Sequence, residues 1–86
     1  MLIEKGNIVK SLSGHDKGGF FVCLDADEKF AIIADGKERK LEKPKKKNLK
    51  HLAKTSASVN VLELATNKQI RLVLSHYNGA SEQITE

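Results

Sequence analysis

The chain has 86 residues, with 15 Lys and Arg against 11 Asp and Glu, a formal net charge of +4 and a pI near 9.3. A chain of that length buries only about 60–65% of its unfolded surface, which argues against a large core and a deep substrate pocket. One cysteine, Cys23, excludes an internal disulfide and a thiolate zinc cluster, and no apolar run reaches signal-peptide or membrane-span length, so a cytoplasmic protein is expected.

Residues 2 to 12 lead into and form the first expected strand, with Met1, Leu2 and Ile3 covering a barrel edge. Ile8, Lys10 and Leu12 fall on one side of it and Asn7, Val9 and Ser11 on the other, a partial alternation. Ser13 to Gly18 contains Gly14, His15, Asp16, Lys17 and Gly18, a tight connection that needs φ > 0 at one or more glycines. A second strand follows over 19–25, with Phe20, Val22 and Leu24 opposite Phe21, Cys23 and Asp25. The acidic stretch Asp25 to Glu28 turns the chain into a third strand, Lys29 to Ala34, with Phe30, Ile32 and Ala34 opposite Ala31 and Ile33.

Asp35-Gly36 predicts a two-residue type I′ hairpin, which requires φ > 0 at both central residues. Glu38 to Lys43 is then the fourth expected strand, with Leu41 inward, and Pro44 marks a strand end or an edge because it has no amide donor. Leu49 to Lys54 is the fifth. Five short strands joined by tight turns make a small bent barrel, and spacing alone does not separate an SH3-like from an OB-like arrangement.

Residues 55–65 read as a linker or short extended segment, with Val59, Val61 and either Leu62 or Leu64 as its apolar contacts. Thr66 is a good N-cap, and Ile70, Val73, Leu74 and Tyr77 recur at i, i+3, i+4 and i+7. The spacing predicts a helix over 66–78 packed on the barrel, stopped at Asn78-Gly79 and followed by a disordered tail, 79–86.

The charge is unevenly spread. Lys37 to Lys54 is dense in Lys and Arg with only Glu38 and Glu42 against them, a locally positive stretch that suits a polyanion. Within it, Lys43, Lys45, Lys46 and Lys47 crowd together and repel one another unless an anion is nearby. An ordinary solvated lysine turn is the bland alternative. The glycines of the first loop serve backbone geometry and also let N–H groups approach a phosphate or a base edge. Phe20 and Phe21 lie on opposite faces, so one belongs to the core, while the other is as readily covered by the helix as free to stack on a base.

The pattern Gly6-x-Ile8-Val9-x-Ser11-x-x-Gly14-x-Asp16-Lys17-Gly18, followed by an aromatic and aliphatic strand, resembles a KOW motif. With Ile33-Ala34-Asp35-Gly36 and the run from Arg39 to Leu52, the chain is similar to small bacterial KOW-domain RNA-binding proteins. These are related to the "e"-type large-subunit ribosomal protein fourteen family of archaea and eukaryotes. The resemblance covers roughly residues 3–54 and implies that 1–54 is an SH3-like barrel, so the expected fold is mainly β, five-stranded, with a C-terminal α-helix.

It also implies a ribosomal protein-like function in translation: binding of RNA, in particular ribosomal RNA or the large subunit, with ribosomal proteins as further partners. Lys10, His15 and Lys17 of the first loop carry over as RNA contacts. Arg39, Lys40, Lys43, Lys45, Lys46, Lys47 and Lys50 extend that surface, and Arg39 has the planar guanidinium best suited to reading RNA. The tail lacks the long basic extension of the ribosomal members, which leaves room for transient association.

No catalytic residue, cofactor, metal, membrane or small-molecule substrate is expected. His15, His51 and His76 have no partner at catalytic spacing, Cys23 reads as a small hydrophobe, and Asp25, Asp27 and Glu28 do not form a calcium loop. Lys68 and Arg71 read as a solvated helix flank. The rival function is a protein-interaction barrel that binds a translation or transcription factor, with its lysines as steering charge.

Overall fold

The computed structural model describes residues 3–84, and the side chains of 3–77. Five antiparallel strands form one sheet: β1 (Asn7–Ser11), β2 (Phe20–Ala26), β3 (Phe30–Ala34), β4 (Lys45–Asn48) and β5 (Leu52–Ser58), in the order β4-β3-β2-β1-β5. One helix, α1 (Asn67–Ile84), follows. The fold is therefore mainly β with a C-terminal helix. It is a meander whose fifth strand returns beside the first, as in the SH3-like alternative and unlike a Greek-key OB barrel.

The sheet curls strongly. Lys47 of β4 hydrogen-bonds Ser11 of β1 although β2 and β3 lie between them in strand order. Two irregularities bend the strands: Leu24 is an extra residue in β2 between Cys23 and Asp25, and the β1–β5 register shifts between Asn7 and Val9. At the second, Ile8 carbonyl accepts from Thr55 Oγ1 at 2.7 Å. The Leu24 bulge also changes which side chain faces inward after it, so Ala26, not Asp25, packs on the inner cluster.

Period-2 alternation explains the two cores. Val9, Phe21, Cys23, Ala31, Ile33 and Leu52 line the concave face, with Ile3 closing it. Ile8, Val22 and Ala34 point to the other face, where Ile70 and Leu74 of α1 and Leu64 cover them. Ile70, Val73, Leu74 and Tyr77 are the predicted helix face, and all pack on this second cluster. Thr66 caps as expected: its Oγ1 accepts from Gln69 N–H, and Gln69 Oε1 accepts from Thr66 N–H at 3.0 Å, a reciprocal capping box.

Four expectations are corrected. Residues 38–43 are not a strand; that stretch is a looped excursion held by the helix start, where Asn67 Oδ1 accepts from Leu41 N–H and Asn67 Nδ2 donates to Glu42. The fourth strand is instead the lysine run itself, beginning just after Pro44 on the sheet edge, where a missing amide costs nothing. The fifth strand starts later, after a 3-10 turn at Leu49–His51, and absorbs residues 55–58 that read as linker. The helix runs past Asn78-Gly79 to Ile84, over positions expected to be tail; residues 85 and 86 lie outside the described residues.

Asp35-Gly36 does turn the chain, but not as type I′: Gly36 has φ +78°, whereas no non-glycine residue among those described has positive φ. Asp35 Oδ1 instead accepts from Lys37 and Arg39 N–H, both at 2.9 Å, which rounds the loop with a side chain. No helix among the described residues is long and apolar enough to cross a membrane.

Candidate nucleic-acid interface

Three segments far apart in sequence meet at one end of the barrel: the β1–β2 loop, the β3–β4 excursion and the 3-10 turn before β5. Leu12 N–H donates to His51 carbonyl at 2.8 Å, and Arg39 Nη2 meets Asp16 Oδ2 at 3.0 Å. Gly14 and Gly18 take φ +75° and +90°, as the loop required. On this frame His15, Lys17, Lys40, Lys43 and Lys50 are exposed.

The pleat divides the lysine run. Lys45 and Lys47 pair with Ile33 and Ala31 and lie on their concave side, while Lys46 pairs with Ile32 on the other. Lys46 is exposed, with Nζ 4.6 Å from the Phe30 ring centroid. Lys45 is half-buried. Lys47 is buried, 9% exposed, and its ammonium donates to Ser11 Oγ at 2.9 Å and Ser13 carbonyl at 2.8 Å. A buried ammonium needs such acceptors. Lys47 is thus a brace for the first loop and not a free phosphate contact, a correction to its expected role.

Arg39 also has a structural partner. Its Nη2 is engaged by Asp16, whose side chain is only 5% exposed, and its Nε is buried with no hydrogen-bond partner. The pair ties the first loop to the β3–β4 excursion. Lys10 stands apart on β1, exposed, with Nζ 5.7 Å from the ring centroid of its cross-strand partner Phe20.

The acidic residues near these lysines are largely engaged inside the chain. Asp16 holds Arg39, the one ion pair among the described residues, and Asp35 holds two backbone N–H groups. Glu42 accepts from Asn67, which holds its carboxyl below the usual range. Asp27 is likewise held low, by the N–H groups of Phe30 and Lys29. None of these exposed lysines forms an ion pair among the described residues, although Lys46 and Lys40 act by charge on Asp27 and Glu42.

His15, Asp16 and Glu38 bring potential ligand atoms within 4.8 Å of one another, the only such metal-ligand group among the described residues. Its Asp16 carboxylate is already engaged by Arg39. Cys23 is fully buried, its Sγ 3.2 Å from Asp25 carbonyl, and burial pushes its thiol up to about 11.

Sequence reasoning did not single out Lys37 and read Lys68 and Arg71 only as a solvated helix flank. The three line one groove, where Arg71 Nη1 donates to Gly36 carbonyl at 2.7 Å and draws the excursion against α1. An arginine one position from the apolar helix stripe, with a glycine turn elsewhere in the chain, gave no readable signal of that contact. No protein-family model matches the chain, and no curated protein matches it.

Proposed function

We propose that this chain is a small KOW-type RNA-binding protein of the cytoplasm, which engages ribosomal RNA or the large ribosomal subunit through the basic end of its barrel. The observation that carries this reading is the imbalance described above: Asp16, Asp35 and Glu42 are engaged internally while Lys17, Lys40, Lys43, Lys46 and Lys50 remain exposed. Exposed lysines outside ion pairs raise the local potential and favour a dense polyanion. Folded RNA presents phosphate and shape more than readable base edges, which suits a compact surface of this kind. His15 extends the surface, Lys45 contributes charge at its margin, and Lys10 stands apart from it on β1.

The test is binding to purified large-subunit RNA titrated over salt, for wild type, Lys43/Lys46/Lys50→Ala and Lys47→Ala. Loss of three phosphate contacts makes the slope of log K against log salt shallower by about 2 to 3, at roughly 0.7–0.9 per contact. Lys47→Ala should leave the slope unchanged. An unchanged slope in the triple variant rejects this surface. If RNA does not bind and complexes from cells survive nuclease, the protein-interaction reading replaces it; Leu62, 85% exposed, is its most accessible apolar contact.

A further inference from the structure

Between α1, the start of β2 and the β3–β4 excursion lies an open groove of about 690 Å³, within the size range of small-ligand sites. Its apolar lining includes Phe20 and Leu72, and Lys37, Lys68 and Arg71 also line it. Asp35 is the acidic residue there, and its carboxylate is occupied by Lys37 and Arg39 N–H groups. The groove therefore joins an aromatic surface to a surplus of positive charge.

We infer that this groove takes one unpaired nucleotide of a bound RNA, its base against Phe20 and Leu72 and its phosphate beside Lys37 and Lys68. The inference rests on the RNA-binding reading and adds to it a single-strand subsite away from the lysines tested above. Three features fit that occupant. The Phe20 ring lies against Tyr77, with centroids 6.1 Å apart and planes at 33°, and packs on the helix-side cluster. Lys10 Nζ beside the same ring supplies a further cation where the strand backbone would leave the groove. Arg71 is already oriented by its bond to Gly36 carbonyl, and a guanidinium so anchored keeps other N–H groups for an anion. Aromatic stacking with adjacent cations is how single strands are bound without a base code.

The experiment is a fluorescence titration of the full chain with a single-stranded RNA octamer carrying 2-aminopurine, and with a blunt RNA duplex, for wild type, Phe20→Leu and Lys68→Glu. Lys68 is exposed on α1, so its replacement leaves the fold intact. Both variants are expected to weaken octamer binding by about fivefold or more, the lower end of what one stacked base contributes. Duplex binding should change by less than about twofold. Unchanged octamer binding in both variants, with RNA still bound, overturns the groove and leaves the RNA reading standing. Failure of both RNAs to bind the wild-type chain overturns the two together.

Discussion

Lys47 Nζ donates to Ser11 Oγ at 2.9 Å, joining residues 36 positions apart in sequence and on strands that are not neighbours in the sheet. The central lysine of a basic run thus acts inside the barrel. Lys47→Met keeps the apolar stem but leaves Ser13 carbonyl without this donor, and should cost about 1–3 kcal/mol. Lys46→Ala, on the exposed side of the same strand, should stay within about 0.5 kcal/mol. Urea denaturation of the two variants makes the comparison, and equal midpoints would remove the brace.

Arg39 and Asp16 give a second stability test. Their ion pair is partly shielded and links two loops, so a double-mutant cycle with Arg39→Ala and Asp16→Ala should return a coupling of about 1 kcal/mol or more. A coupling near zero would class the pair with ordinary surface ion pairs.

Gly36 should tolerate no side chain. A Cβ there would stand 2.4 Å from Asn67 carbonyl, and φ +78° is strained for any L-residue. Gly36→Ala is expected to cost about 2 kcal/mol or more and to loosen the excursion from α1. A thermal midpoint equal to wild type would contradict that packing.

Cys23 makes alkaline stability a readout of the inner core. Its folded thiol holds its proton to about 11, above the ordinary 9.0, because burial disfavours the thiolate. Folded chain therefore binds more protons than unfolded chain in that interval. The stabilisation is complete below 9.0 and is lost as pH rises towards about 11. Cys23→Ala should show a flatter stability profile across that window in denaturant titrations. A profile parallel to wild type would mean the thiol is not shielded.

Much of the fold was legible because period-2 and period-3.6 patterns report directly on which face is buried. Val9, Phe21 and Ile33 against Ile8 and Val22 were separable by alternation alone, as was the helix stripe through Ile70 and Leu74. The lysine run was not legible as a strand. Lysine has little strand preference, and what orders Lys45–Asn48 is pairing with β3, whose hydrophobic residues supply the core for both. The stretch 38–43 looked like a strand by its position after Asp35-Gly36, but Asn67, remote in sequence, holds it as a loop through Leu41 and Glu42. The same remoteness hid the groove. Exposure of Lys17 and Lys43 followed from composition; the burial of Lys47 and the pairing of Arg39 with Asp16 depended on partners that only the folded chain brings near.

β1 lies between β2 and β5, pairing Val9 with Phe21 on one side and Ser11 with Leu52 on the other. The first three strands are joined by local turns, but this seam pairs the first strand of the chain with the last and must wait for the chain to reach Leu52. Closing so long a loop is entropically slow and is repaid only when the strand zips along β1. A nascent chain halted before β5 therefore displays an open sheet and an uncovered apolar face, and all-or-none folding begins with the arrival of the last strand.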